Sequence, residues 1–222
     1  MDQKTIISQF FSKVYFWMFL GLILSTLAAL IVVGVPAFSA FLFSNMILFF
    51  ALIIIELILV ISLVAALKKI SSSTAKIMFT IYSILNGITI SVILLIYTGA
   101  SVIATFFVAA MMFGVMAFWG FFTDKDLSKL GPILFMALIG LIIALIVNIF
   151  LQSSRMDLII SFIGVILFTL LTAYDNQYLK RIATQIKGKE QIAKMAIMGA
   201  LKLYLDFINL FLFLLRFLGN RR

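Results

Sequence analysis

Two side chains on which much protein chemistry depends are missing: the 222-residue chain has no cysteine and no histidine. Without thiols there can be no disulfide, thiolate nucleophile or thiolate metal site. Without imidazole the usual metal ligand, proton shuttle and serine-activating base are gone. Acid–base work near neutral pH would fall to carboxylates. Charge of any kind is scarce, with 11% Asp, Glu, Lys and Arg against about 25% in a soluble domain.

What fills the chain is apolar: 65% of residues are hydrophobic, where soluble domains run at about 45–50%. The composition points to a bilayer, and the length to a single compact membrane domain over 1–222. Apolar runs of about 20 residues give seven predicted spans, at 14–35, 45–67, 77–98, 102–122, 133–151, 158–174 and 198–218. The first is too long for a signal-peptide core, which runs about 7–15 residues, although Ala37-Phe38-Ser39 resembles a cleavage site. The expected fold is all-α.

The net charge of +9 could suggest nucleic acid, but its placement argues for topology instead. The N-terminus carries Lys4 and Lys13, and the second loop Lys68, Lys69 and Lys76. The fourth loop carries Lys125 and Lys129, and the sixth Lys180, Arg181, Lys187, Lys189 and Lys194. The first and third loops carry no base, and the fifth only Arg155. Twelve bases against one put the N-terminus in the cytoplasm and leave no call for nucleic acid. Seven crossings then place Arg221 and Arg222 on the base-poor side. A last segment that enters the membrane without crossing is the alternative.

Three acids fall within or at the edge of apolar runs: Glu56, Asp175 and Asp206. A central charge costs about 2.5–3.5 kcal/mol even on a lenient insertion scale, and these side chains are too short to snorkel. They are expected to face the bundle interior, a partner or water. At 100° per residue Lys202, Asp206, Asn209, Phe213 and Arg216 share an arc of about 80°. Ser161, Gly164, Phe168, Thr172 and Asp175 share another, as do Tyr82, Asn86, Thr89 and Tyr97. Plainer readings exist for each acid. Asp206 could pair with Lys202 one turn away, Asp175 could mark the water boundary, and Glu56 could be a structural interhelical contact. Gly21 and Ser25, and Gly87 and Ser91, place small residues four apart, which suits close helix packing. A retinal Schiff base at Lys202 is disfavoured, since the third span has no acid and only Trp17 and Trp119 could line a ring pocket. No cofactor is expected, and an intramembrane hydrolase lacks a base for its serine.

Thr172-Ala173-Tyr174-Asp175-Asn176-Gln177 and the stretch Ala200 to Phe211, followed by Leu215-Arg216, resemble the signature of the Bax inhibitor-1 family. Asn86-Gly87-Ile88-Thr89-Ile90-Ser91 with Tyr97 fits that family's third helix. The resemblance covers nearly the whole chain. It implies seven helices with the last central and ringed by the other six. It also implies a pH-sensing pair, Asp175 and Asp206, that gates a calcium leak and could hold Ca²⁺, with Glu56 on the ion path. Lys202, Asn209, Arg216 and Asn86 are the candidate modulators. Bacterial relatives sit in the cytoplasmic (inner) membrane, some with a membrane-bound protease. Two departures stand out. Lys202 stands where many members have a small polar residue, and for the Arg that the family often carries further along the second helix the nearest candidates here are Lys68 and Lys69. The functional expectation is a non-enzymatic, pH-sensitive Ca²⁺ or cation leak, with protons as the second ion. An interaction protein that modulates a membrane protease or stress pathway is the alternative, and a proton-coupled transporter the third reading.

Overall fold

A chain this apolar must satisfy its backbone polar groups internally, and α-helices do so within each segment. The computed structural model describes residues 3–67, 69–186 and 188–222. Lys68 and Lys187 lie outside the described residues. Among those described there is no β-strand, and the helices run α1 Gln3–Gly34, α2 Pro36–Ser44, α3 Met46–Ala66, α4 Ser72–Ile90, α5 Val92–Ile96, α6 Gly99–Phe122, α7 Leu130–Leu151, α8 Ser154–Ala183 and α9 Lys189–Leu218. Seven spans, counting α4 with α5 as one, are long and apolar enough to cross a membrane. The protein is an integral membrane protein.

The helix ends differ from the apolar runs for local reasons. The connection between the first two spans folds into α2, with Pro36 in its first turn, where a missing N–H is harmless. The third span breaks at Ser91, whose hydroxyl bonds the Ile88 carbonyl at 2.6 Å. Tyr97 follows α5 in extended backbone, so the stripe begun by Tyr82, Asn86 and Thr89 does not reach it on one continuous helix. The sixth span continues to Ala183, because no Gly or Pro stops it after Tyr174. Asp175 is therefore interior to its helix, and Lys180 and Arg181 are helical.

The chain divides into two compact units: residues 1–97 with 183–204 and 222, and residues 98–182 with 205–221. In the first, α1 and α4 approach to backbone contact. A Cβ on Gly87 would collide with the Ser25 backbone, and one on Gly21 would lie 2.7 Å from the Phe79 ring. The small residues read from the sequence thus set this crossing. Tyr204, fully enclosed, packs edge-on against Phe79 and Tyr82 at 5.9 Å each. Glu190, in the first turn of α9, accepts from both the backbone N–H and the hydroxyl of Ser72 at 2.8 Å, satisfying donors at the start of α4.

In the second unit α6 and α8 meet where Gly120 faces the Ala173 backbone. Phe207 packs its ring against Phe106 and Phe113 at 5.5 and 5.6 Å. Phe213 stacks on Phe168 at 5.8 Å and fills the space over Gly164. The seven spans share burial unequally. In α9 72% of the apolar window is enclosed, against 11% in α3 and in α7. Along the polar stripe of α9 only Asp206 and Phe213 are buried, with Lys202 and Asn209 intermediate and Arg216 exposed, whereas Ser161, Gly164, Phe168, Thr172 and Asp175 in α8 form a distinct buried face.

Candidate functional site

In the first unit the apolar helix α3 turns only Glu56 and Leu63 into buried positions. They are seven residues apart and so share a face. Glu56 is 7% exposed, and its two oxygens find partners on α4. Asn86 Nδ2 donates to Oε2 at 3.0 Å, and the Thr89 hydroxyl donates to Oε1. Asn86 and Thr89 are three apart, which aims both at one point.

The same amide passes the connection on. Asn86 Oδ1 accepts from the Tyr204 hydroxyl at 2.8 Å. That hydroxyl lies 2.6 Å from Ser25 Oγ, which is 2.7 Å from the Ser83 carbonyl and 2.9 Å from that of Gly21. Side chains from α1, α3, α4 and the first half of α9 thus form one buried chain ending at a carboxylate. Because the Asn86 oxygen takes the tyrosine proton, its NH₂ must face Glu56.

In the second unit Asp175 is 2% exposed and Asp206 5%. Asp175 sits among buried neighbours on α8, with Asn176 bonding the Thr172 carbonyl at 2.8 Å. Asn209 donates to the Leu205 carbonyl of its own helix at 2.8 Å. Arg216 is ten residues past Asp206, about 15 Å along the axis, and approaches Asp157 at 3.4 Å. Lys202 is half-buried in the first unit.

The loop after α6 is strapped to α8. Gln177 accepts from the Leu127 N–H at 2.8 Å and donates to the Lys125 carbonyl at 2.7 Å. Lys180 reaches the Phe121 carbonyl at 2.8 Å, and Arg181 the Ser128 hydroxyl at 2.6 Å. Asp126 accepts from the Ser128 hydroxyl and backbone N–H. These bonds, the hydroxyl first, hold its carboxyl below the usual carboxylate range.

Comparison with known proteins places the chain in a family. A family model described as "Inhibitor of apoptosis-promoting Bax1" matches residues 7–222. The chain belongs to the Bax inhibitor-1 family. The inner membrane protein YbhL of Escherichia coli K12 is 46% identical over 215 residues, covering 96% of this chain and 92% of the relative. An uncharacterised protein of Borreliella burgdorferi is 44% identical over 216 residues, with 97% and 93% covered. Protein RP147 of Rickettsia prowazekii is 41% identical over 214 residues, with 95% and 89% covered.

For this family member, sequence reasoning singled out Glu56, Asn86 and Thr89 but not Tyr204 or Ser25. Tyr204 carried a usable signal, since a tyrosine in mid-span needs a hydrogen-bond partner. Ser25 had been noted only for its small size. Among the described residues no group of three or more acidic side chains comes together.

Proposed function

We propose that this protein is a pH-sensitive cation leak of the bacterial cytoplasmic membrane, with Ca²⁺ as its main ion. In this reading Asp175 and Asp206 form the gating pair, Glu56 lines the ion path and the protein performs no catalysis. The observation that carries it is the burial of these three carboxylates, at 2%, 5% and 7% exposure, in a chain with eight acids in all. Buried intramembrane acids are expensive and are kept where a polar path needs them. Ionised carboxylates are hard oxygen ligands suited to Ca²⁺. Two of them, completed by carbonyls or water, make a site weak enough to release the ion, which conduction requires. Two neighbouring carboxylates titrate as a unit, so a proton can bias one helix arrangement over another. The loop charges support a cytoplasmic N-terminus, and the printed name of the Escherichia coli relative supports the inner membrane.

The test is Ca²⁺ flux into liposomes at several pH values. Asp175→Asn and Asp206→Asn should each abolish most of the pH dependence while staying folded, and the double variant should be little worse than either. A silent Asp175→Asn sinks the gate. The family description names an inhibitor, which favours a second reading, an interaction protein acting on a membrane-bound partner such as a protease. That reading requires liposomes containing the protein to pass no ion.

A further inference from the structure

The arginines that topology leaves unexplained are gathered in one place. Arg155 and Arg221 belong to the side that loop charges mark as base-poor, and Arg216 ends α9 close by. In the second unit α7 stops, α8 starts and α9 stops around an open cavity of about 420 Å³, lined among others by Asn148, Gln152, Ser154, Asp157, Arg216 and Arg221. Arg155, exposed, directly follows Ser154. One carboxylate serves both lining arginines: Asp157 is 3.4 Å from Arg216 and 3.7 Å from Arg221. Two guanidinium groups to one carboxylate leave the recess net positive.

The remaining wall is polar and specific. Gln152 closes α7 with φ +49°, a left-handed position where glycine is the usual residue. A glutamine there places an amide on the cavity wall at a local backbone cost. Leu158, also in the lining, is 55% exposed, and the chain neighbours of the lining residues form an apolar border, with Phe150 81%, Leu151 61% and Phe217 39% exposed.

We infer that this recess binds a phosphate group, carried by a phospholipid whose acyl chains lie along the apolar border. Guanidinium groups match phosphate oxygens in paired hydrogen bonds, and a recess at the ends of spanning helices lies at the depth of the lipid headgroups. A cation is the wrong occupant, because the one carboxylate already stands between two positive charges. The site is separate from the buried acids and does not depend on ion conduction.

The experiment measures equilibrium binding to the purified full chain in neutral detergent, using dihexanoyl-phosphatidylglycerol, inorganic phosphate and dihexanoylglycerol. The phospholipid should bind one to one and the phosphate-free diacylglycerol should not. Arg216→Gln and Arg221→Gln should each weaken binding about tenfold. Asp157→Asn should tighten it severalfold, because the carboxylate competes with phosphate for the same guanidinium groups. Inorganic phosphate binding as tightly as the lipid assigns the same site to the free ion. Equal binding of the diacylglycerol, or affinity unmoved by the arginine changes, overturns the proposal. Should an arginine variant fail to fold, Asp157→Asn decides, and weaker or unchanged binding there overturns it.

Discussion

Glu56 in the first unit and Asp157 in the second are carboxylates on long helices with contrasting company. Glu56 is 7% exposed, and its oxygens take bonds from a neutral amide and a neutral hydroxyl. Asp157 has 29% of its side chain exposed and stands between two arginines. Neutral donors satisfy a carboxylate without fixing its charge, and a hydroxyl can reverse its bond when a proton arrives. Arginine keeps its charge in a protein, so its contact with a carboxylate is an ion pair rather than a neutral hydrogen bond. The interior group is held by neutral dipoles, and the one at the helix ends by formal charges. Energetics should follow location too, since an exposed ion pair is screened by water and a buried neutral network is not.

The largest expected effect breaks the interior side of that contrast. Gly87→Ala drives a Cβ into the Ser25 backbone, which no rotamer change relieves, so α1 and α4 must part. A loss of about 2–3 kcal/mol or more is expected, read as a lower Tm in detergent. Gly140→Ala makes the same chemical change in open space and should be neutral or stabilising by about 0.5–1 kcal/mol. Similar results for the two would contradict the close crossing.

Tyr204→Phe is next. It keeps the ring packed on Phe79 and Tyr82 but deprives Ser25 and Asn86 of a buried partner, at about 1–3 kcal/mol. An unchanged Tm would mean the hydroxyl chain contributes nothing.

Asp157→Asn sharpens the comparison from the other side. Both its ion pairs are partly exposed, so the loss should stay below about 1 kcal/mol, and wild type should lose the same increment in about 1 M salt. A cost matching Tyr204→Phe would erase the distinction between interior and end.

The smallest effect lies in the loop after α6. The carboxyl of Asp126 sits below its unfolded value, so its contribution is complete above the ordinary range near about 4. That contribution is lost as pH falls through the lower folded value. Asp126→Asn should leave Tm at neutral pH nearly unchanged and increase amide exchange at Leu127 and Ser128. Exchange identical to wild type at neutral pH would show that the carboxylate does not hold the turn.

Much of this was legible in the sequence. The seven spans followed from run length and composition, and the buried face of α8 from periodicity, because both are local properties of a helix in lipid. The acids were legible as anomalies, since Glu56, Asp175 and Asp206 interrupt runs that otherwise admit no charge. The continuation of α8 past Asp175 was less legible. Polar residues there looked like a loop, yet Gln177, Lys180 and Arg181 are helical and bond the end of α6 and the loop that follows it.

By itself the sequence determined that this protein lives in a membrane, how many of its segments are long and apolar enough to cross it and which carboxylates interrupt them. Hydropathy and helical period act over about 20 residues, so a reader of the chain can sum them directly. Tertiary structure alone decided the partners. Tyr204 meets Ser25 across 179 positions and Asn86 across 118, and Arg216 meets Asp157 across 59. Such pairings depend on how helices cross, which side-chain shape and backbone approach fix jointly, and no local pattern encodes them.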